Sequence, residues 1–264
     1  MADDVTSALA GAAHAAPVAQ APPRRAIVAG AGGALGAAVT EQLLGAAGFA
    51  QVAALVTQPV AAALCGFVAL DHADDAAWSA FGADTAVVVF DHERGRHGRE
   101  AALWWPEPGG VAVLARRLHA AGVRVLVVVV PHEAGLLPQA LQHGLATLDE
   151  AAVAALGFEC LVFMRMARSA GGAGALLSAP QRLARWMLCQ LHWMVPQREQ
   201  PVRVQTVARV AAALAWQLTG ATPGTRVWPS ERFGEAAQSS DASAVVARWL
   251  AGESAAPSLD RLRW

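Results

Sequence analysis

The chain has 264 residues, 55% of them hydrophobic, with a formal charge of -1 and no block of like charge. One large core is the economical arrangement at that length, and the missing basic field argues against nucleic acid or a membrane as an obligatory partner. Neither Tyr nor Lys occurs, so all 20 basic side chains are Arg. That excludes any mechanism needing a phenolate, an ammonium, a Schiff base or a Walker lysine.

Residues 1–23 read as a flexible Ala/Pro-rich arm. Asp3 and Asp4 stand where a secretory leader would be basic, and no long apolar run follows, so a cytoplasmic location is expected. A single domain is expected over 24–234. It opens with an apolar strand at 24–31, and a glycine cluster then leads into a helix on which Leu35, Val39 and Leu43 recur at helical spacing, with Gly48 as terminator. Further strands are expected at 51–57, 67–71 and 85–91. The segment 111–121 places Val111, Leu114 and Leu118 on one helical face, and Gly122 separates it from a strand at 123–130 that is too short to span a bilayer. A short helix at 149–156 precedes the strand 159–166. Runs apolar on both faces, alternating with helices, predict an α/β fold with a doubly wound, mostly parallel sheet in three α/β/α layers.

Beyond Ala170 the pattern changes. Lid elements are expected around 92–110 and 171–203, the latter including a helix at 181–196 with Leu183, Trp186, Met187, Leu191 and Met194. Such a wide apolar surface suits core packing, the wall of a small apolar ligand site, or the contact of a homodimer. A helix at 204–218 is expected to be capped by Thr206, and 225–233 to supply a last strand and turn. The tail 235–264 carries Val245, Val246, Trp249 and Leu250, which allow a short closing helix. Cys65, Cys160 and Cys189 are far apart and near apolar runs, which predicts reduced, buried thiols.

The stretch IVAGAGGALG, residues 27–36, spaces Gly30, Gly33 and Gly36 by threes, with Gly32 as an extra. The first glycine permits a sharp exit from the strand, the second lets a diphosphate approach the backbone, and the third allows close helix–sheet contact. The candidate cradle is therefore Gly30, Gly32, Gly33, Ala34, Leu35 and Gly36, with the anion on exposed N–H groups at the helix N-terminus. The polar stretch 91–110 offers Arg94, Arg96, Arg99, His92 and His97 to an anionic ligand. Trp104 and Trp105 suit stacking on a ring, closing a lid, or anchoring that loop to the body. His92, His97, His132 and Asp91 match no compact ligand spacing, and no metal is expected.

The glycine turn, the strand GVRVLVVVV and the segment LGFECLVFMRMA resemble the atypical or extended short-chain dehydrogenase/reductase superfamily, with its Rossmann-like NAD(P)-binding fold, and in particular its small NmrA-like and epimerase-like members. The likeness covers about residues 24–234. Arg165 matches the arginine of a family triplet, Arg-Pro-Gly, from which Met166 and Ala167 depart. The resemblance implies NAD or NADP as cofactor and a catalytic Ser with a Tyr-x-x-x-Lys pair. Counted along this chain, those roles fall on Val129 or Val130, on Gln142 and on Ala146. All three are vacated, and the weak substitutes are Gln142, His143 and His132, the last beside Glu133. Thr57 and Gln58 stand where the family reads the cofactor ribose and leave the choice between NAD and NADP open. Asp71 and His72 match the pair near adenine, where Asp71 either accepts from the exocyclic amine or is a capping, solvent-facing Asp. Phe90 and Asp91 line the crevice by position, and Phe90 either contacts adenine or fills the core. The expectation is an NAD(P)-binding protein with degenerate catalysis in a sensor or regulatory role. The alternatives are an oxidoreductase or isomerase using nonstandard acid–base groups, and a scaffold that binds no nucleotide.

Overall fold

The computed structural model describes residues 23–46, 48–60, 64–91, 101–132, 147–167 and 203–252. In these residues seven strands are β1 (Arg24–Ala29), β2 (Phe49–Val56), β3 (Phe67–Asp71), β4 (Thr85–Val89), β5 (Val125–His132), β6 (Cys160–Ala167) and β7 (Gly224–Trp228). They form one sheet in the order β3-β2-β1-β4-β5-β6-β7, and every neighbouring pair is parallel. The order reverses at β1, which lies between β2 and β4. The crevice outside the carboxyl ends of β1 and β4 is therefore the place where an open α/β sheet takes a ligand.

The central strands are buried on both faces because their sequences are continuous β-branched runs. Val125 to Val129 are sealed from solvent, as are Ala86, Val87, Val88 and Val89 opposite them. Helices cover each side. On one face lie α1 (Gly33–Gly45), α5 (Val204–Gln217), α6 (Glu231–Gln238) and α7 (Ala242–Leu250), which contribute Leu35, Val39, Leu43, Val210, Phe233, Val245 and Val246. On the other lie α2 (Asp75–Phe81), α3 (Val111–Ala120) and α4 (Leu148–Ala154), with Trp78, Leu114, Leu118 and Val153. The fold is the Rossmann-like, doubly wound sandwich expected from the sequence.

Local chemistry fixes the helix ends. The Asp74 carboxylate accepts from the Ala77 amide, Thr147 from Glu150 and Asp241 from Ser243, each satisfying a first-turn N–H. Several sequence expectations are corrected. Thr206 does not cap α5. It is buried within the helix, whose N-cap is Arg203 with no side-chain cap bond. Helix α1 ends at Gly45, before Gly48. His132 is the last residue of β5, paired with Ala167, and does not lie past the strand. Residues 231–238 form α6, where a turn was expected; Phe233 and Ala236 bury its inner face. Cys65 is exposed, so the burial expected of it fails, whereas Cys160 is buried as expected. The arm 1–22, the helix 181–196 and Cys189 fall outside the described residues. No helix among the described residues is long and apolar enough to cross a membrane.

Candidate functional site

Strand β1 leaves the sheet at Gly30, with φ +83°, and α1 begins three residues later. A β-carbon at Gly30 would collide with the Val89 carbonyl oxygen, and one at Gly36 with the carbonyl oxygen of Gly30. The first and third glycines of the turn thus serve close backbone packing of β1 on β4 and of α1 on the turn. They hold the α1 N-terminus at the reversal point of the sheet.

Gly32 and Gly33 answer to something else. A β-carbon at Gly32 would lie 2.6 Å from Cζ2 of Trp105, and one at Gly33 would lie 2.7 Å from its Cη2 and 2.9 Å from Oδ2 of Asp91. The Trp105 indole lies against the glycines where the sequence predicts a diphosphate. Asp91 Oδ2 accepts from the Leu35 amide at 3.0 Å. A carboxylate there satisfies an unpaired first-turn donor and meets the positive end of the helix, as a phosphate would. In this conformation the cradle is made by the backbone but taken by the chain's own side chains, so it does not accept a diphosphate without rearrangement.

The segment carrying Trp105 is tied across the crevice. The Thr57 amide donates to Ala102 at 2.7 Å, the Trp104 amide to Leu55 at 2.9 Å, and Leu103 forms an antiparallel bridge with Val56. Thr57 Oγ1 also donates to the Ala102 carbonyl, at 3.1 Å. Trp104 stacks on His72 with ring centroids 5.4 Å apart and planes at 18°. The ring of Pro106 packs over Gly30, its Cδ 3.2 Å from the place of a β-carbon there.

The other candidate residues are distributed as follows. His72 Nδ1 sits 3.1 Å from the Val56 carbonyl oxygen. Asp71 accepts from the Ala73 amide at 2.9 Å, and its side chain is 62% exposed. That is the turn-forming, solvent-facing role of an Asp, and its Oδ1 also lies 3.4 Å from Nδ1 of His72. Gln58 is exposed and helps line an open cleft of about 240 Å³ bounded by Val56 to Val60, Ala69 and Asp71. Phe90 is buried in the core with Val88 and Leu114, the core-filling alternative of its two expected roles. Ala34 lies in the first turn of α1.

On the catalytic side, Val129 is fully buried and Val130 packs against the core, so neither presents a polar group to the crevice. Gln142, Ala146 and His143 lie outside the described residues, as do Arg94, Arg96, Arg99, His92 and His97. Among the described residues no group of His, Cys, Asp and Glu could hold a metal. Arg165, near the carboxyl end of β6, forms a buried ion pair with Glu150 of α4 at 2.6 Å, the two side chains 6% and 8% exposed. A second bond joins Arg165 Nε to Glu150 Oε1 at 3.4 Å. Sequence reading singled out Arg165 but missed Glu150, because the pairing joins elements 15 residues apart by a three-dimensional contact.

No protein-family model and no curated protein matches this sequence. Among solved structures, the chain is similar to a short-chain dehydrogenase/reductase family oxidoreductase from Burkholderia thailandensis. The identity is 17%, over 89% of this chain and 99% of that one, with a TM-score of 0.45. It is also similar to UDP-glucose 4-epimerase from Brucella ovis in complex with NAD, at 15% identity over 78% and 77% of the two chains, with a TM-score of 0.44. A third is a gluconate 5-dehydrogenase from Burkholderia cenocepacia in complex with NADP and tartrate, at 14% identity over 78% and 94%, with a TM-score of 0.43. What the crevice can do rests on this chain's own residues. Strand order and glycine turn together define a Rossmann-like α/β protein.

Proposed function

We propose that the protein binds NAD or NADP at the β1–α1 turn and acts as a sensor or regulator without short-chain dehydrogenase chemistry. The observation that carries this reading is a pairing: Gly30 and Gly36 set a helix N-terminus at the reversal point of a parallel sheet, in a chain with no Tyr and no Lys. The glycines position a diphosphate at backbone N–H groups. The proton-transfer pair implied by the family resemblance, a Tyr and a Lys, is absent from the sequence. Bound nicotinamide would supply hydride chemistry. Val129 and Val130 supply neither a proton nor an acceptor to a substrate oxygen.

A specific observation favours a second reading. Trp105 and Asp91 already fill the cradle, as they would in a scaffold that takes no nucleotide. Calorimetric titration of the full chain with NAD, NADH, NADP and NADPH separates the two. Binding of at least one tighter than millimolar is expected, with no loss of reduced-nicotinamide absorbance on adding quinones, aldehydes or enones. No binding by any of the four supports the scaffold instead. Steady turnover with any of those acceptors establishes an oxidoreductase with nonstandard groups.

A further inference from the structure

We infer that residues Leu103–Pro106, with Asp91, form a built-in competitor for the nucleotide, a strap that must leave the crevice before a dinucleotide can enter. The inference rests on the nucleotide reading above and adds its regulation. Three parts of the strap occupy three consecutive parts of the crevice. Trp104 lays a flat heteroaromatic ring on His72 at the β3 end. Trp105 covers Gly32 and Gly33, and Asp91 puts a carboxylate on the Leu35 amide. A base prefers to stack on a ring, and a diphosphate prefers first-turn amides. Nucleotide and strap therefore compete for the same groups, and the two states are mutually exclusive.

The seated strap is also built to be released. Among the described residues its backbone ties to the sheet are two hydrogen bonds, from the Thr57 and Trp104 amides, which together make the bridge between Val56 and Leu103, at the end of β2 and not along its length. Trp105 Nε1 is buried without an acceptor among the described residues, a cost that disappears when the indole turns to water. Leu103, Trp104, Trp105 and Pro106 all remain partly exposed. A segment held by few bonds, with an unsatisfied donor, opens locally at low cost compared with the sheet beneath it. The fraction of molecules with the strap open sets the apparent affinity for nucleotide, because only that fraction can bind.

The test is calorimetry of the full chain and of Trp105→Ala with NADH and NADPH, joined to amide hydrogen exchange of the unaltered protein with and without saturating nucleotide. Trp105→Ala should bind at least about tenfold more tightly than the parent chain. In the parent, bound nucleotide should speed exchange at the Thr57 and Trp104 amides. Exchange in the parent needs no variant to fold, so the inference stays exposed to failure if Trp105→Ala is unstable. Equal affinities, or bound nucleotide with those two amides as protected as before, overturns the strap and leaves the nucleotide reading standing. If neither protein binds either nucleotide, the nucleotide reading itself falls and the strap falls with it.

Discussion

The glycine turn and the carboxyl end of β5 face the same crevice and differ in what maintains them. At the turn, Gly30 and Gly36 are required by contacts with the chain's own backbone, with no ligand involved. At β5, the positions that the family resemblance gives to catalysis carry valines, which the parallel sheet accepts as readily as it would any other apolar residue. The backbone of the cradle is therefore required by the fold's own packing, whereas the side chains at the end of β5 are not set by it. A glycine motif reports a way of joining strand to helix, and only the side chains around it report what is bound.

The sharpest way to break that comparison is Gly36→Val. If the third glycine serves packing, the substitution should cost more than about 4 kcal/mol or prevent folding, without any nucleotide present, because the obstruction is the Gly30 carbonyl. Urea denaturation followed by circular dichroism reads it, and a loss under 1 kcal/mol, roughly the level of an ordinary surface change, would show that the close contact is not needed. Next in size is Glu150→Ala, which removes a carboxylate 2.6 Å from the buried Arg165 guanidinium and should cost about 3 kcal/mol. The same denaturation measurement checks it. A near-neutral result would mean that the β6 end is held chiefly by its apolar packing.

Smaller effects sharpen the contrast between turn and strap. Asp91→Asn keeps a side-chain acceptor for the Leu35 amide but removes the charge that opposes a diphosphate, so nucleotide affinity should rise about fivefold. Titration at low ionic strength gives the largest signal, and the gain should shrink as salt is added. Asp241→Ala removes the cap of α7 and should cost about 1 kcal/mol while leaving nucleotide affinity unchanged. A change in affinity there would mean that the far helix layer and the crevice are coupled.

Much of the fold was legible because it is written in local patterns. The run Val125 to Val129 announces a doubly covered strand, Leu35, Val39 and Leu43 mark the buried stripe of α1, and glycines punctuate both. Helix α2 escaped notice because only Trp78 and Phe81 of its seven residues are buried, too few to set a period. Helix α6 was hidden similarly, its inner face consisting of Phe233, Ala236 and the buried Arg232. Thr206 has the look of a cap because it is a polar residue at the start of an apolar run, whereas the helix begins at Val204 with Arg203 as its N-cap. At the site, the backbone half was visible in the glycine spacing. The side-chain half was not: Trp105 reaches Gly33 across 72 residues of sequence, and Asp91 reaches Leu35 across 56. The tryptophans were recognised as able to stack or anchor, but which surface they cover is a property of the fold.

The most direct measurement of the central claim is a crystal structure of Trp105→Ala grown with NADPH or NADH. The account predicts diphosphate oxygens on the Gly32–Leu35 backbone, the Asp91 carboxylate off the Leu35 amide, and the Leu55–Trp104 hydrogen bond broken. Nucleotide bound anywhere else, with Asp91 still on Leu35 and the strap still seated, would contradict it.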